Sequence, residues 1–259
     1  MTPSPDLDRR RLDVPTPDGT ADAYLVRPAG DAPVPGVLLF MDAIGLRPTV
    51  EQMADRLAAA GCAVLAPNLF YRGGRAPVVP DVVGRLQSED RAAVFGELRP
   101  FMAALTPEVA ARDTTAYVQA LVDAGGADPS RLATTGYCMG GALALRAAAQ
   151  LPDQVRAAAS FHGGNLAPED GTGPERLAGQ VRAEVYAGHA DEDPSMPPEQ
   201  VARFEQAFRE AGVAVTSEVY AGASHGFTMR DMPVHDAAAE QRHWDALLGL
   251  LGRTVLAGG

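Results

Sequence analysis

Three side chains of the right types stand where they could act together: a thiol at Cys138, a carboxylate at Asp193 and an imidazole at His225. Cys138 lies in LATTGYCMGGALAL (132–145), between a β-prone run and a helix-prone run, with Gly136 before it and Gly140 and Gly141 after it. A strand that turns at once into a helix strains the residue at the corner and needs small neighbours so that the two elements can approach. That is the mechanical logic of a G-x-S-x-G nucleophile elbow, here with cysteine in place of serine. A thiol at a helix start feels the positive end of the helix dipole, which favours thiolate. The N–H of Met139 would then face a developing oxyanion. The chemistry implied is nucleophilic attack on a carbonyl. The plainer alternative is a tight glycine turn around an inert, buried cysteine.

A nucleophile of this kind needs a base, and the base needs an orienting group. Of the five histidines, His225 follows the last expected strand in YAGASHGF. His162 and His189 also follow strands, whereas His235 and His243 fall on the expected closing helix. The segment GHADEDPSMPPEQ offers Asp191, Glu192 and Asp193 after the next-to-last strand. The chain order Cys138, Asp193, His225 is the order nucleophile, acid, histidine. His189, Asp191 and Asp193 resemble metal ligands in type, but they crowd one loop without a defined spacing, so no metal is expected. Cys62, in AAAGCAVLAP at the start of an apolar strand, reads as core.

These motifs resemble the dienelactone hydrolase family, the cysteine branch of the α/β-hydrolases. The resemblance runs from about Asp18 to the last helix and rests on G-Y-C-M-G-G, D-P-S-M-P and S-H-G-F. It implies Cys138 as nucleophile, His225 as base and Asp193 as orienting acid. Asp193 is preferred over Asp191 because the family's acid precedes a short turn ending in proline, as Asp193 precedes Pro197. It further implies Asp42, in LLFMDAIGL, as a supporting carboxylate beside the thiol, and the Ala43 N–H as second oxyanion donor with Met139. Two arginines hold a substrate carboxylate in members that open dienelactone. Arg91 matches one; Arg230 stands one residue past the other, where Met229 is found, and Arg72 and Arg75 are alternatives. Tyr71 and Phe161, with Phe70 and Phe227, are candidate pocket walls or core packing. The implied activity is hydrolysis of a small ester or lactone, anionic in one version, through a thioester, with no cofactor.

The elements needed to carry these residues can be read in order. ADAYLVRP reads as an edge strand, GVLLFMD as a buried parallel strand, 49–60 as a helix stopped by Gly61, and CAVLAPNLF as the next buried strand. Residues 68 to about 105 are rich in Gly, Pro and Arg and suggest a lid or broken helix inserted in a single domain of 1–259. A helix capped by Thr106 follows, then RLATTGY, a helix from Met139, the strands VRAAASFHG and VRAEVYAGH, a helix from Pro197, VAVTSEVYAG and a closing helix. Strand and helix alternate, so an α/β fold with a mostly parallel sheet and helices on both faces is expected. Ligands of such sheets sit at the carboxyl ends of the strands.

Bulk properties narrow the partners. The chain has 259 residues, 46% of them hydrophobic, and a net charge of −11 without a dense basic block. Nucleic acid and anionic membrane are poor partners for such a surface. Two cysteines provide no disulfide framework, the N-terminus lacks an apolar signal core, and no run spans a bilayer, so a cytoplasmic location is expected, as a monomer or small homo-oligomer. Two rivals to hydrolysis are a ligand-binding protein on the same scaffold and a redox-sensing thiol, although no resolving cysteine is near Cys138.

Overall fold

A computed structural model of the chain describes residues 6–88 and 91–257. They form two compact units, one up to Pro129 and the other from Ser130. The first contains β1 (Leu7–Thr16), β2 (Gly19–Pro28), β3 (Val34–Phe40), α1 (Pro48–Ala59), β4 (Ala63–Pro67), α2 (Val82–Gln87), α3 (Arg91–Ala104) and α4 (Pro107–Asp123). Its strands lie in the order β1-β2-β4-β3. β2 pairs antiparallel with β1 and with β4, and β3 runs parallel to β4 with Val37 opposite Val64.

ADAYLVRP is therefore not the edge strand expected. β1 covers it, with Leu12 opposite Ala23. β1 escapes detection because Asp8, Arg9, Arg10, Arg11 and Asp13 are all exposed, leaving only a weak apolar alternation. Charges of this kind are what keeps a sheet edge from pairing with another chain. The 68–105 segment is more helical than its Gly, Pro and Arg content suggests. Val82 with Leu86, and Val94 with Leu98, are buried pairs spaced four apart, which places them on one helix face. Thr106 caps α4 as expected, accepting from the Val109 N–H.

The second unit contains most of β5 (Ala127–Tyr137), and α5 (Met139–Gln150), β6 (Val155–Phe161), β7 (Glu184–Ala190), α6 (Pro198–Glu210), β8 (Val215–Tyr220) and α7 (Ala237–Thr254). Its strands lie in the order β5-β6-β7-β8 and all run parallel. The interior residues Ala157, Ala158, Ala159, Val185 and Ala187 are fully buried, as strands covered on both faces must be. α5 packs on β6, α7 on β6 and β7, and α6 on β8. The register is the feature that matters for the site. Tyr137 pairs with Phe161, Phe161 with Gly188, and Ala190 with Tyr220. The four strands therefore finish together, and the residues just beyond each end are brought to one rim.

Candidate active site

Cys138 occupies the single residue between β5 and α5, with φ 56° and ψ −121°. A non-glycine residue at positive φ is strained by roughly 1–3 kcal/mol, so its surroundings must hold it there. The Cys138 N–H donates to the Phe161 carbonyl at 3.2 Å, and the Cys138 carbonyl accepts from the Gly141 N–H at 3.0 Å. The glycines allow the bend. A Cβ on Gly136 would lie 1.9 Å from the Gly140 carbonyl oxygen, and one on Gly141 would lie 2.2 Å from Ser160 Oγ. Because the first clash is with backbone, Gly136→Ala is expected to destabilise the protein by about 3 kcal/mol, read from urea unfolding. A loss below about 1 kcal/mol would show that the strand and helix can separate. Cys138 is half-buried, whereas Cys62 is sealed in the core.

Asp193 and His225 come from the loops after β7 and β8. His225 Nδ1 lies 2.6 Å from Asp193 Oδ2. The other Asp193 oxygen, Oδ1, accepts from the Ser195 N–H at 2.8 Å and the Ser195 hydroxyl at 2.7 Å. Burial would lower the pKa of His225, but its hydrogen bonds to Asp193 and Cys138 and the charges of both outweigh that and push it up to about 10. Burial likewise opposes ionisation of Asp193, yet the bonds to His225 and Ser195 hold it below the usual carboxylate value. His225 thus has Asp193, and at 3.5 Å the Ser195 hydroxyl, on Nδ1, and its ring also interacts with the Cys138 thiol. Met139 opens α5, and the first N–H groups of a helix have no acceptor within it.

The remaining candidates divide. Asp191 is not the partner of His225: its carboxylate accepts from the Gly222 and Glu192 N–H groups. His189 is buried, with Nε2 3.0 Å from Ser217 Oγ. Phe161 lines no surface, being fully buried between Tyr137 and Tyr186 with its ring 4.2 Å from that of His243. Phe227 is also core, stacked on Tyr220. His235 precedes α7 rather than lying on it, because Asp236 caps that helix. Arg230 donates from Nε to both oxygens of Glu240, at 2.8 and 2.9 Å.

In the first unit, Asp42 and Ala43 lie in the turn beyond β3. Asp42 is gripped by Arg47 in a buried bidentate pair, at 2.6 and 2.9 Å, and also accepts from the Ile44 N–H. Tyr71 is buried, and its hydroxyl is shared between Thr16 and Asp113. Arg72 is held by Asp113 and Asp18, and Arg75 by Asp13. Phe70 is core, its ring 6.0 Å from that of Phe101. Arg91 is exposed at the first residue of α3.

Two contributors escape a reading of sequence alone. Ser195 fixes the rotation of Asp193; its only local sign is its place two residues after an aspartate, the spacing of an Asx turn. Arg47 is the other, and only the turn of the chain shows that it meets Asp42.

Comparison with known proteins bears on the whole chain. A family model, the Dienelactone hydrolase family, matches residues 21–255. An Escherichia coli K12 protein named "Putative carboxymethylenebutenolidase" is 26% identical over 239 residues, covering 91% of this chain and 83% of its own. The crystal structure of a Klebsiella pneumoniae protein named "Putative Dienelactone Hydrolase" superposes with a TM-score of 0.81 at 24% identity, over 95% of this chain and 99% of that one. A dienelactone hydrolase-like promiscuous phosphotriesterase from metagenomic libraries gives a TM-score of 0.75 at 25% identity, over 95% and 98%. The fold is the α/β-hydrolase fold. With a match that runs from within β2 to the end of α7, this chain belongs to the dienelactone hydrolase family.

Proposed function

We propose that the protein hydrolyses small carboxylic esters or lactones by acyl transfer through Cys138. One observation carries the reading: a single imidazole, His225, is bonded to Asp193 on one side and to a thiol at a strained elbow on the other. The Cys138 thiolate attacks the carbonyl carbon, forming a C–S bond and placing negative charge on the carbonyl oxygen. The Met139 N–H receives that oxyanion; the Ala43 N–H is the second donor that the family pattern implies. Collapse of the intermediate breaks the C–O bond, and imidazolium His225 gives its proton to the departing alkoxide. Neutral His225 then takes a proton from water, whose oxygen attacks the thioester. The acid leaves, the C–S bond breaks, and the thiolate–imidazolium pair returns. Asp193 keeps the ring oriented and stabilises its positive form. Asp42, the carboxylate that the family pattern sets beside the thiol, holds its own turn through its bonds to Arg47 and the Ile44 N–H.

The arginines favour an uncharged acyl group. Arg72, Arg75 and Arg230 already have carboxylate partners. Recognition of a substrate carboxylate would fall to Arg91.

The test is to mix the protein with p-nitrophenyl acetate, quench with acid within the first turnovers, and map the peptides by mass spectrometry. The expected result is an acetyl group on Cys138 that hydroxylamine removes, together with loss of turnover after iodoacetamide. Turnover without acetylated Cys138 and without iodoacetamide sensitivity overturns the thioester mechanism. Alkylation of Cys138 with no turnover of any ester or lactone supports the ligand-binding reading instead.

A further inference from the structure

His162 is the side chain near the site for which the proposed reaction has no use. It stands one residue beyond β6, at the rim shared by Cys138, Asp193 and His225. Its φ is 38°, a second strained non-glycine residue at the same rim. Its imidazole is fully buried. The backbone strain is sustained by the His162 N–H, which donates to the Gly188 carbonyl at 2.7 Å. Strain of this sort persists when a side chain must be aimed somewhere the relaxed backbone would not send it.

The ring is aimed at the loop that carries His225. It touches three of the four residues 225–228. Its centroid is 5.3 Å from that of His225 at an interplanar angle of 61°, and 5.1 Å from that of Phe227 at 78°. Its Nε2 lies 2.8 Å from Thr228 Oγ1. Nδ1 has no hydrogen-bond partner among the described residues. A bare ring nitrogen is less costly to bury than an orphaned N–H, which assigns the proton to Nε2, donated to Thr228. Burial, and then the charges of His225 and His243, drive the pKa of His162 well below the ordinary value, against the opposing pull of Asp193. The other titratable neighbour is Tyr137, with its ring 5.9 Å away. A second positive charge beside imidazolium His225 is thereby avoided.

We infer that His162 is a positioning residue, a buried neutral clamp that holds the 225–228 loop so that the His225 ring stays edge-on and in line between Asp193 and Cys138. Asp193 supplies one hydrogen bond, about which the ring could still swing. The contacts of His162 to the His225 ring and to Phe227 and Thr228, just after it in the chain, remove that freedom. The inference rests on the reading of Cys138 and His225 as the reacting pair.

The test reads alkylation of Cys138 by iodoacetamide as a function of pH, which needs no turnover, alongside p-nitrophenyl acetate kinetics. Four forms are compared: wild type, His225→Ala, His162→Leu and Thr228→Val. In wild type, alkylation at pH 6.5 is expected to be fast, and His225→Ala to slow it at least tenfold. His162→Leu should slow alkylation at pH 6.5 about tenfold while converging on wild type above pH 10. It should lower kcat about 30-fold with KM changed less than threefold. Thr228→Val, which keeps the shape and loses the hydroxyl, should shift both in the same direction by about threefold to tenfold, and it serves if His162→Leu does not fold. If His225→Ala leaves alkylation unchanged, the reacting pair itself is refuted. If His225→Ala slows alkylation but a folded His162→Leu, or Thr228→Val, keeps the wild-type profile and kcat, the clamp is refuted and the pair stands.

Discussion

Cys138→Ala is expected to lower kcat/KM for p-nitrophenyl acetate by at least about 1,000-fold, leaving only what an oxyanion site and binding can do without a nucleophile. The loss should appear in kcat, because the C–S bond exists only from the first transition state onward. The melting temperature should hardly move. Alanine keeps the Cβ, so it inherits the same positive φ at Cys138 and the same backbone hydrogen bonds, to the Phe161 carbonyl and from the Gly141 N–H. That pairing of a large kinetic effect with a small thermal one separates a nucleophile from a packed cysteine, and Cys62→Ala supplies the contrast. Cys62 is sealed in the core, so its truncation should lower stability by about 1–2 kcal/mol with kcat retained in the folded fraction. Unchanged kcat/KM in Cys138→Ala would end the case for this elbow as the reacting centre.

Asp193→Asn is the second large effect, about 1,000-fold in kcat/KM. The physical reason is twofold. Asparagine can present its amide N–H to Nδ1 and so select the wrong tautomer, with no proton on Nδ1 and one facing the sulfur. It also withdraws the charge that helps lift His225 to about 10. The sign of the pH effect follows. A raised imidazole pKa means that the protonated partner of the thiolate persists as pH rises, until it is lost near pH 10. In Asp193→Asn that loss moves toward the ordinary histidine range, near pH 6.5. The NMR signals of the His225 ring, followed across pH 5–11, read the shift directly. Asp191→Asn is the matched control: its carboxylate caps Gly222 and Glu192 and does not touch His225. Activity within about threefold of wild type and a stability loss near 1 kcal/mol are expected. Equal damage from both substitutions would mean that the loop after β7 acts as a whole and not through Asp193.

The contrast between these two aspartates shows how far local pattern reaches. Residues 191 and 193 have the same chemistry two positions apart, and composition does not choose between them. The proline spacing pointed to Asp193; the geometry that separates them is the turn closed by Ser195 on Oδ1, which frees Oδ2 for His225. Arginine roles are hard to read from sequence for a related reason. A guanidinium looks available until the carboxylate that meets it is known, and Arg72, Arg75 and Arg230 find theirs 54, 62 and 10 residues away, respectively. Aromatic residues behave similarly: Phe161 ends β6 and Phe227 follows β8, near the rim where site residues lie, but their rings turn into the core.

The elbow, the alternation of elements and the chain order of thiol, acid and imidazole are all carried by neighbours in sequence, because a bend, a helix start or a buried strand is set by steric and hydrogen-bonding demands over a few residues. The pairing of Asp42 with Arg47, the seat of Ser195 on Asp193 and the grip of His162 on residues 225–228 arise otherwise. The last joins loops that follow different strands, β6 and β8, and those loops meet because β5 to β8 are parallel and finish in register. Such contacts depend on distances through space, which no periodicity along the chain encodes.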